Sequence, residues 1–214
     1  MHRLNRGEAP PCLAQYHHPQ HTWDDVSAPH KAEIRQHLER MQGRRCAYCE
    51  GPLDALGQHI DHFAQKRPGR APQLTFAWEN LLLSCVQERT CGKSKDRADY
   101  ALGELLHPAQ EDPELPLRFY ADGSIDLRVP PQSAKGHRAQ TALRVLNLND
   151  VRLRNMRKQA ARDFIRSDPS IFQALSEEEP ELRAAIVADL QTFIAGQDFC
   201  TALKHLVEDY LPSP

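Results

Sequence analysis

The sequence predicts an α+β fold, mostly helical, on three observations. Apolar residues recur at helical spacing over 28–42 and again from Ala139 onward; short apolar runs near 60 and at 76–85 suit strands; and 119–127 reads as a hairpin. At 214 residues the chain has room for one domain, or for a small module and a second unit.

Taken in order, residues 1–27 contain Pro10, Pro11 and Pro19 without periodicity, which predicts an extended N-terminal arm. In 28–42, Ile34, Leu38 and Met41 fall on one helical face, Pro29 suits a first turn and Gly43 can end the helix. The stretch CAYCEGPLDALGQHIDHF (46–63) reads as a cysteine turn, a polar loop and a short strand. Pro68, Gly69 and Pro72 then mark a loop, FAWENLLLSC (76–85) a buried strand, and a helix can begin after Cys91 and run through Tyr100 and Leu102. Asp122-Gly123 suits a tight turn in FYADGSIDL. Leu143, Leu146, Leu153, Met156, Ala160 and Phe164 form an apolar stripe with Asn149 as its cap, and helical patterns return near 181–195 and 198–211. The expected organisation is the arm at 1–27, a compact module at 28–105, and a hairpin plus helical region at 106–214, the last a candidate docking surface for a partner.

The chain is 40% hydrophobic and 26% charged and has no apolar run near the roughly 18–20 residues that span a bilayer, so no membrane association is expected. Polar residues stand where a signal peptide would be apolar, which predicts a cytoplasmic protein. A net charge of -2 makes no global case for nucleic acid, but charge is unevenly placed. Basic residues flank the cysteines, among them Arg44, Arg45, Lys66, Arg67, Arg70, Arg89, Lys93, Lys95 and Arg97, while from 177 onward acid dominates, Glu177, Glu178 and Glu179 included.

Four of the six cysteines are clustered. Cys46 and Cys49 make one close pair and Cys85 and Cys91 a second, wider one, and two such pairs bracketing a hairpin predict a structural Zn²⁺ site. Cys12 and Cys200 read as plain thiols. Four thiolates leave no open coordination position, so chemistry must lie elsewhere. His59, Asp61 and His62, on the strand between the cysteine pairs, are the candidates.

In the order CAYCE, IDHF, WENLLLSC, CGKSKD, these segments resemble the zinc-containing HNH endonucleases, whose ββα-metal module joins a cysteine cage to a nuclease hairpin. The resemblance implies that His62 is the general base, that Asp61 holds one catalytic divalent ion, Mg²⁺ or Mn²⁺, and that Asn80 braces the loop orienting the base. Lys95 and Arg67 are candidate phosphate contacts. Two features depart from the family. Alternation along a regular strand puts His59 and Asp61 on one face and Ile60 and His62 on the other, so the strand is expected to bend there to bring Asp61 and His62 together; if it stays regular, His59 is the better partner of Asp61 and the assignment of His62 suffers. Gly92 stands where the family places a metal ligand, and Asp96, one helical turn on, is the first candidate to replace it.

The resemblance extends over roughly 28–165 to the HNH nuclease component of Septu-type anti-phage systems, including retron-associated ones, through KAEIRQHLERMQGRRCAYCE, HPAQEDPEL, FYADGSIDL and RAQTALRVLNLNDVRLRNMR. It implies a nucleic acid substrate, an ABC-type ATPase partner and, in retron systems, a reverse transcriptase with its RNA and DNA. The chain has no GxxxxGK[ST] loop of its own. The competing expectation is a zinc-dependent nucleic-acid-binding module without catalysis, for which Gly92 is the main argument. A zinc deaminase would need a histidine-x-glutamate motif with a PCxxC pair, and neither cysteine pair here follows proline.

Overall fold

The computed structural model describes residues 1–177 and 179–211, with the side chain of Glu177 excepted; Glu178 of the acidic run falls outside the described residues. The architecture is α+β and mostly helical, with two small two-stranded sheets.

Helix α1 (Ala28–Gln42) has the predicted bounds, and its ends show why. Ser27 accepts a hydrogen bond from the His30 amide, Pro29 sits in the first turn, and Gly43 closes the helix at φ +59. Its buried face, Ile34 and Leu38, packs over the first sheet. A single helical turn, α2 (Leu53–Leu56), leads into β1 (His59–His62), which pairs antiparallel with β2 (Leu81–Ser84) in unbroken register from His59 opposite Ser84 to His62 opposite Leu81. Helix α3 (Cys91–Arg97) completes a ββα unit; it is shorter than the predicted run to Leu102, ending where Ala98 turns extended.

The first 27 residues contain only short 3-10 turns, yet they lie along the body of the molecule. Met1, Leu4, Cys12, Leu13 and Val26 are buried, Trp78 donates to the Gly7 carbonyl at 3.0 Å, and the Leu4 amide donates to Pro108 at 2.7 Å.

Strands β3 (Leu117–Phe119) and β4 (Ile125–Leu127) form the predicted hairpin, with Gly123 at φ +84; a Cβ there would lie 2.0 Å from the Arg154 carbonyl oxygen, so only glycine fits. Helices α4 (Ala134–Val145), α5 (Val151–Ser167), α6 (Pro169–Glu177), α7 (Pro180–Ala195) and α8 (Cys200–Asp209) follow. Asp150, not the predicted Asn149, caps α5, by accepting from the Arg152 amide. Asn149 instead faces β4, accepting from the Ile125 amide at 2.9 Å and donating to its carbonyl at 2.8 Å.

One apolar core runs from the N-terminal segment through the ββα unit to Leu153, crossing position 105 without a break, and a second gathers α5 to α8. Arg157, fully buried on α5, ties that helix to the hairpin turn and to the loop before it by donating to Gly123 at 2.7 Å and Leu148 at 2.8 Å. No helix among the described residues is long and apolar enough to cross a membrane.

Candidate functional site

The cysteine turn is shaped by its backbone. Cys46 donates to the Gly51 carbonyl at 3.0 Å, Glu50 turns back at φ +64 to donate to Cys46, and the Gly51 amide donates to the Cys49 sulfur at 3.4 Å. Cys85 follows β2 directly, its amide donating to the Cys46 sulfur at 3.4 Å, and Cys91 opens α3 at φ +54 with its amide on the Leu146 carbonyl at 2.8 Å. The four sulfurs, all buried, lie within 4.8 Å of one another, the donor set of a closed tetrahedral metal site. Burial raises the Cys46 thiol, but Cys49, Cys85 and Cys91 aimed at it outweigh this and hold it well below the ordinary value. The same crowding, with burial, keeps Cys49 and Cys91 well above theirs. Four buried sulfurs gathered around one point suit a cation at their centre. Cys12 and Cys200 stand outside the cluster as free thiols.

Beside the cage, along the same strand, His59, Asp61, His62, Lys66, Arg67, Lys93 and Asp96 line an open cleft of about 300 Å³. Because β1 is regular, no bend brings Asp61 and His62 onto one face; His59 is the neighbour of Asp61, with Nε2 3.7 Å from Oδ1. Both ring nitrogens of His59 are buried without a hydrogen-bond partner among the described residues. A single ion bonded at about 2.1 Å to each of two atoms can bridge such a spacing, so the pair fits a divalent ion. Asp96, half exposed at 52%, lines the cleft but does not join His59 and Asp61 in a mutual cluster of three among the described residues.

Asp61 is itself buried. Tyr48, from within the cysteine turn, donates to Oδ2 at 2.5 Å, and the Lys95 ammonium stands 3.4 Å from Oδ1. Burial opposes the carboxylate charge, but Lys95, His59 and Tyr48 together hold Asp61 below its ordinary pKa. Lys95, a predicted phosphate contact, is fully buried: its ammonium donates to the His62 carbonyl at 2.8 Å and to Asp96 at 3.0 Å, and does not face the cleft. Its burial works against the charge, and Asp61, Tyr100 and Asp96 more than restore it. Gly92 explains the missing ligand sterically: a Cβ there would lie 2.9 Å from Asp61 Oδ1 and 3.0 Å from Ser84 Oγ, which accepts from the Gly92 amide.

His62 donates through Nε2 to the Thr75 carbonyl at 3.0 Å, which leaves Nδ1 as the lone-pair nitrogen of the neutral ring. Trp23 meets the ring edge-on at 4.6 Å. Burial, reinforced by Lys66, pushes the imidazole down to about 4. The loop that presents Thr75 is cross-braced by Asn80, which accepts from Ala64 at 2.6 Å and donates to Ala64 at 3.0 Å and Leu74 at 2.9 Å. Tyr48, Trp23 and Thr75 were not singled out by sequence. Tyr48 carried the one usable signal, an aromatic enclosed between paired cysteines.

A ββα unit with a closed cysteine cage beside a carboxylate–imidazole cleft is the class that fold and site define. No family model matches the chain. Among curated proteins, it is 30% identical over 134 residues to the "Retron Vc95 putative HNH endonuclease" of Vibrio cholerae serotype O1 biovar El Tor, covering 60% of this chain and 63% of that protein. It is 27% identical over 123 residues to the "Septu protein PtuB" of Bacillus thuringiensis, covering 56% of this chain and 43% of the relative. The matched stretches thus span less than two thirds of either relative's own length. The chain is thus similar, over part of their length, to proteins named for HNH, Septu and retron systems.

Proposed function

We propose that the chain is a metal-dependent HNH endonuclease that hydrolyses phosphodiester bonds of nucleic acid, within a module at 28–105 held together by one structural Zn²⁺ on Cys46, Cys49, Cys85 and Cys91. The observation that carries this reading is the shared cleft, in which a neutral, oriented His62 stands beside the His59–Asp61 pair and the cations Lys66, Arg67 and Lys93. His62 Nδ1 takes the proton of the water that attacks phosphorus, while the Nε2 bond to Thr75 fixes the ring's tautomer and orientation. Asn80 positions that loop. Asp61 and His59 hold the catalytic ion, Mg²⁺ or Mn²⁺, which when bound neutralises charge building on the phosphate and the leaving oxygen. Lys66, Arg67 and Lys93 contact flanking phosphates.

The defence-system names of the relatives support action with partners: an ABC-type ATPase docked on the helical region of 106–214 and, in a retron setting, a reverse transcriptase with its RNA and DNA. The second reading, a zinc-dependent nucleic-acid-binding module without catalysis, is favoured by Gly92 and by the ammonium against Asp61. A nuclease assay of wild type and His62→Ala with Mn²⁺ or Mg²⁺, ATPase partner present, separates the two. Cleavage lost in the variant supports the nuclease; equal cleavage in both removes His62 as the base, and binding without cleavage by wild type supports the second reading.

A further inference from the structure

Lys95 is an unusual component for a site read as cation-binding. Its side chain is 0% exposed, and its ammonium is held by three acceptors, the His62 carbonyl at 2.8 Å, Asp96 Oδ1 at 3.0 Å and Asp61 Oδ1 at 3.4 Å. The last of these is the oxygen that His59 Nε2 approaches at 3.7 Å, while the other Asp61 oxygen is taken by Tyr48. Asp61 Oδ1 is therefore the oxygen that both the ammonium and an ion beside His59 Nε2 would share. Gly92 sharpens the competition. A side chain there would collide with Asp61, so the helix contributes its cation from Lys95 and no ligand from position 92.

We propose that the Lys95 ammonium is a resident cation of the Asp61 site, which competes with the divalent ion for Asp61 Oδ1 and keeps that ion weakly held. The inference rests on the reading of Asp61 and His59 as ion ligands. A positive charge fixed this close to the ligand oxygen repels a divalent ion and takes part of the carboxylate's attraction, and burial screens neither effect well. Lys95 is thus a positioning residue, acting through Asp61 and shielded from substrate. It gives Asp61 a counter-charge before an ion arrives, which a buried carboxylate requires. A lysine serving only as a structural pin makes the opposite prediction: its loss would disorder Asp61 and loosen the ion.

The test is Mn²⁺ affinity, measured on the full zinc-loaded chain by the electron paramagnetic resonance signal of free Mn²⁺ and by calorimetry. Wild type is compared with Lys95→Met, which removes the charge, and Lys95→Gln, which removes it but can still donate to the His62 carbonyl. Asp61→Asn identifies the site, and circular dichroism with zinc content confirms folding. The expected result is Mn²⁺ bound about tenfold or more tightly by the neutral variants, abolished when Asp61→Asn is added. Binding by the variants alone, with none by wild type, also supports the proposal. Equal or weaker binding by a folded variant overturns it and leaves Asp61 and His59 as ligands. Absence of binding in every form overturns both the proposal and the ion site, independently of whether His62→Ala alters cleavage.

Discussion

The cysteine cage and the cleft lie side by side on one four-residue strand pair, joined through Tyr48 and Gly92, and they are built on opposite terms. The cage is closed: four like donors, all buried, bring together the turn after α1, the end of β2 and the start of α3. The cleft is open and mixed, and its central carboxylate already has a tyrosine and a lysine against it. The contrast separates two uses of buried charge. Where four sulfurs surround one point, a metal bound there would contribute to folding itself; where one carboxylate faces an internal ammonium, the protein has its own counter-ion before any metal binds.

The strongest way to break this comparison is to remove the cage. Chelation of the metal, or Cys49→Ala, is expected to unfold the ββα unit, on the scale of roughly 10 kcal/mol that structural zinc supplies to small modules. Thermal melts followed by circular dichroism, alongside zinc content, check this; an unchanged melt after complete metal loss would show that the apolar core holds the unit unaided.

Next in size is His62→Ala, expected to lower cleavage by about 10²- to 10⁴-fold while the cage keeps its zinc. The imidazole also has a signature in pH. Its folded value of about 4 lies below the ordinary 6.5, so between those values the unfolded chain binds a proton that the folded chain refuses. Stability from this group is therefore fully present above pH 6.5, declines as pH falls toward 4, and is constant below. The acid limb of the cleavage rate should lie below pH 6.5 for the same reason. Urea melts and rate profiles across pH 4–8 measure both, and an acid limb centred at 6.5 or above would mean that His62 is not the titrating base.

Gly92→Ala probes the boundary between the two regions. The added Cβ, 2.9 Å from Asp61 Oδ1, is expected to displace the carboxylate, weaken Mn²⁺ binding and cost about 1–3 kcal/mol, with zinc still bound. Zinc content and Mn²⁺ affinity on the same sample read the two sites separately. Loss of zinc would show that Asp61 and the cage form one unit.

The two regions also differ in how far they could be read from the chain. The cage was legible because metal ligation is written in spacing: two cysteine pairs around a hairpin leave few alternatives. Helix α1 was legible for a similar local reason, with Ser27, Pro29 and Gly43 marking its ends around an apolar stripe. At the cleft the expected bend is absent, and the plain alternation of a regular strand leaves His59, not His62, beside Asp61. Lys95 was not legible. In CGKSKD it reads as a solvated charge, and its burial depends on Asp61 and the His62 carbonyl, more than thirty positions away in sequence. Asn149 and Asp150 show the same limit in the fold: both suit a helix cap, and only the distant Ile125 decides that Asn149 serves the strand. The short α3 is a third case, because Tyr100, donating to the Phe63 carbonyl, belongs to the packing of the cleft loop and not to the helix.

The smallest expected effect tests the lysine's anchorage from outside. Asp96 is half exposed and is one of three acceptors around the Lys95 ammonium. In Asp96→Asn the amide oxygen can still accept, and the His62 carbonyl and Asp61 remain around the buried ammonium, so the stability change from this half-exposed partner should stay below about 1 kcal/mol. The urea midpoint is the measurement. If the loss instead rivals that of Gly92→Ala, then the exposed pair, and not Asp61, fixes the ammonium, and the contrast between a self-neutralised cleft and a metal-built cage would have to be redrawn around Asp96.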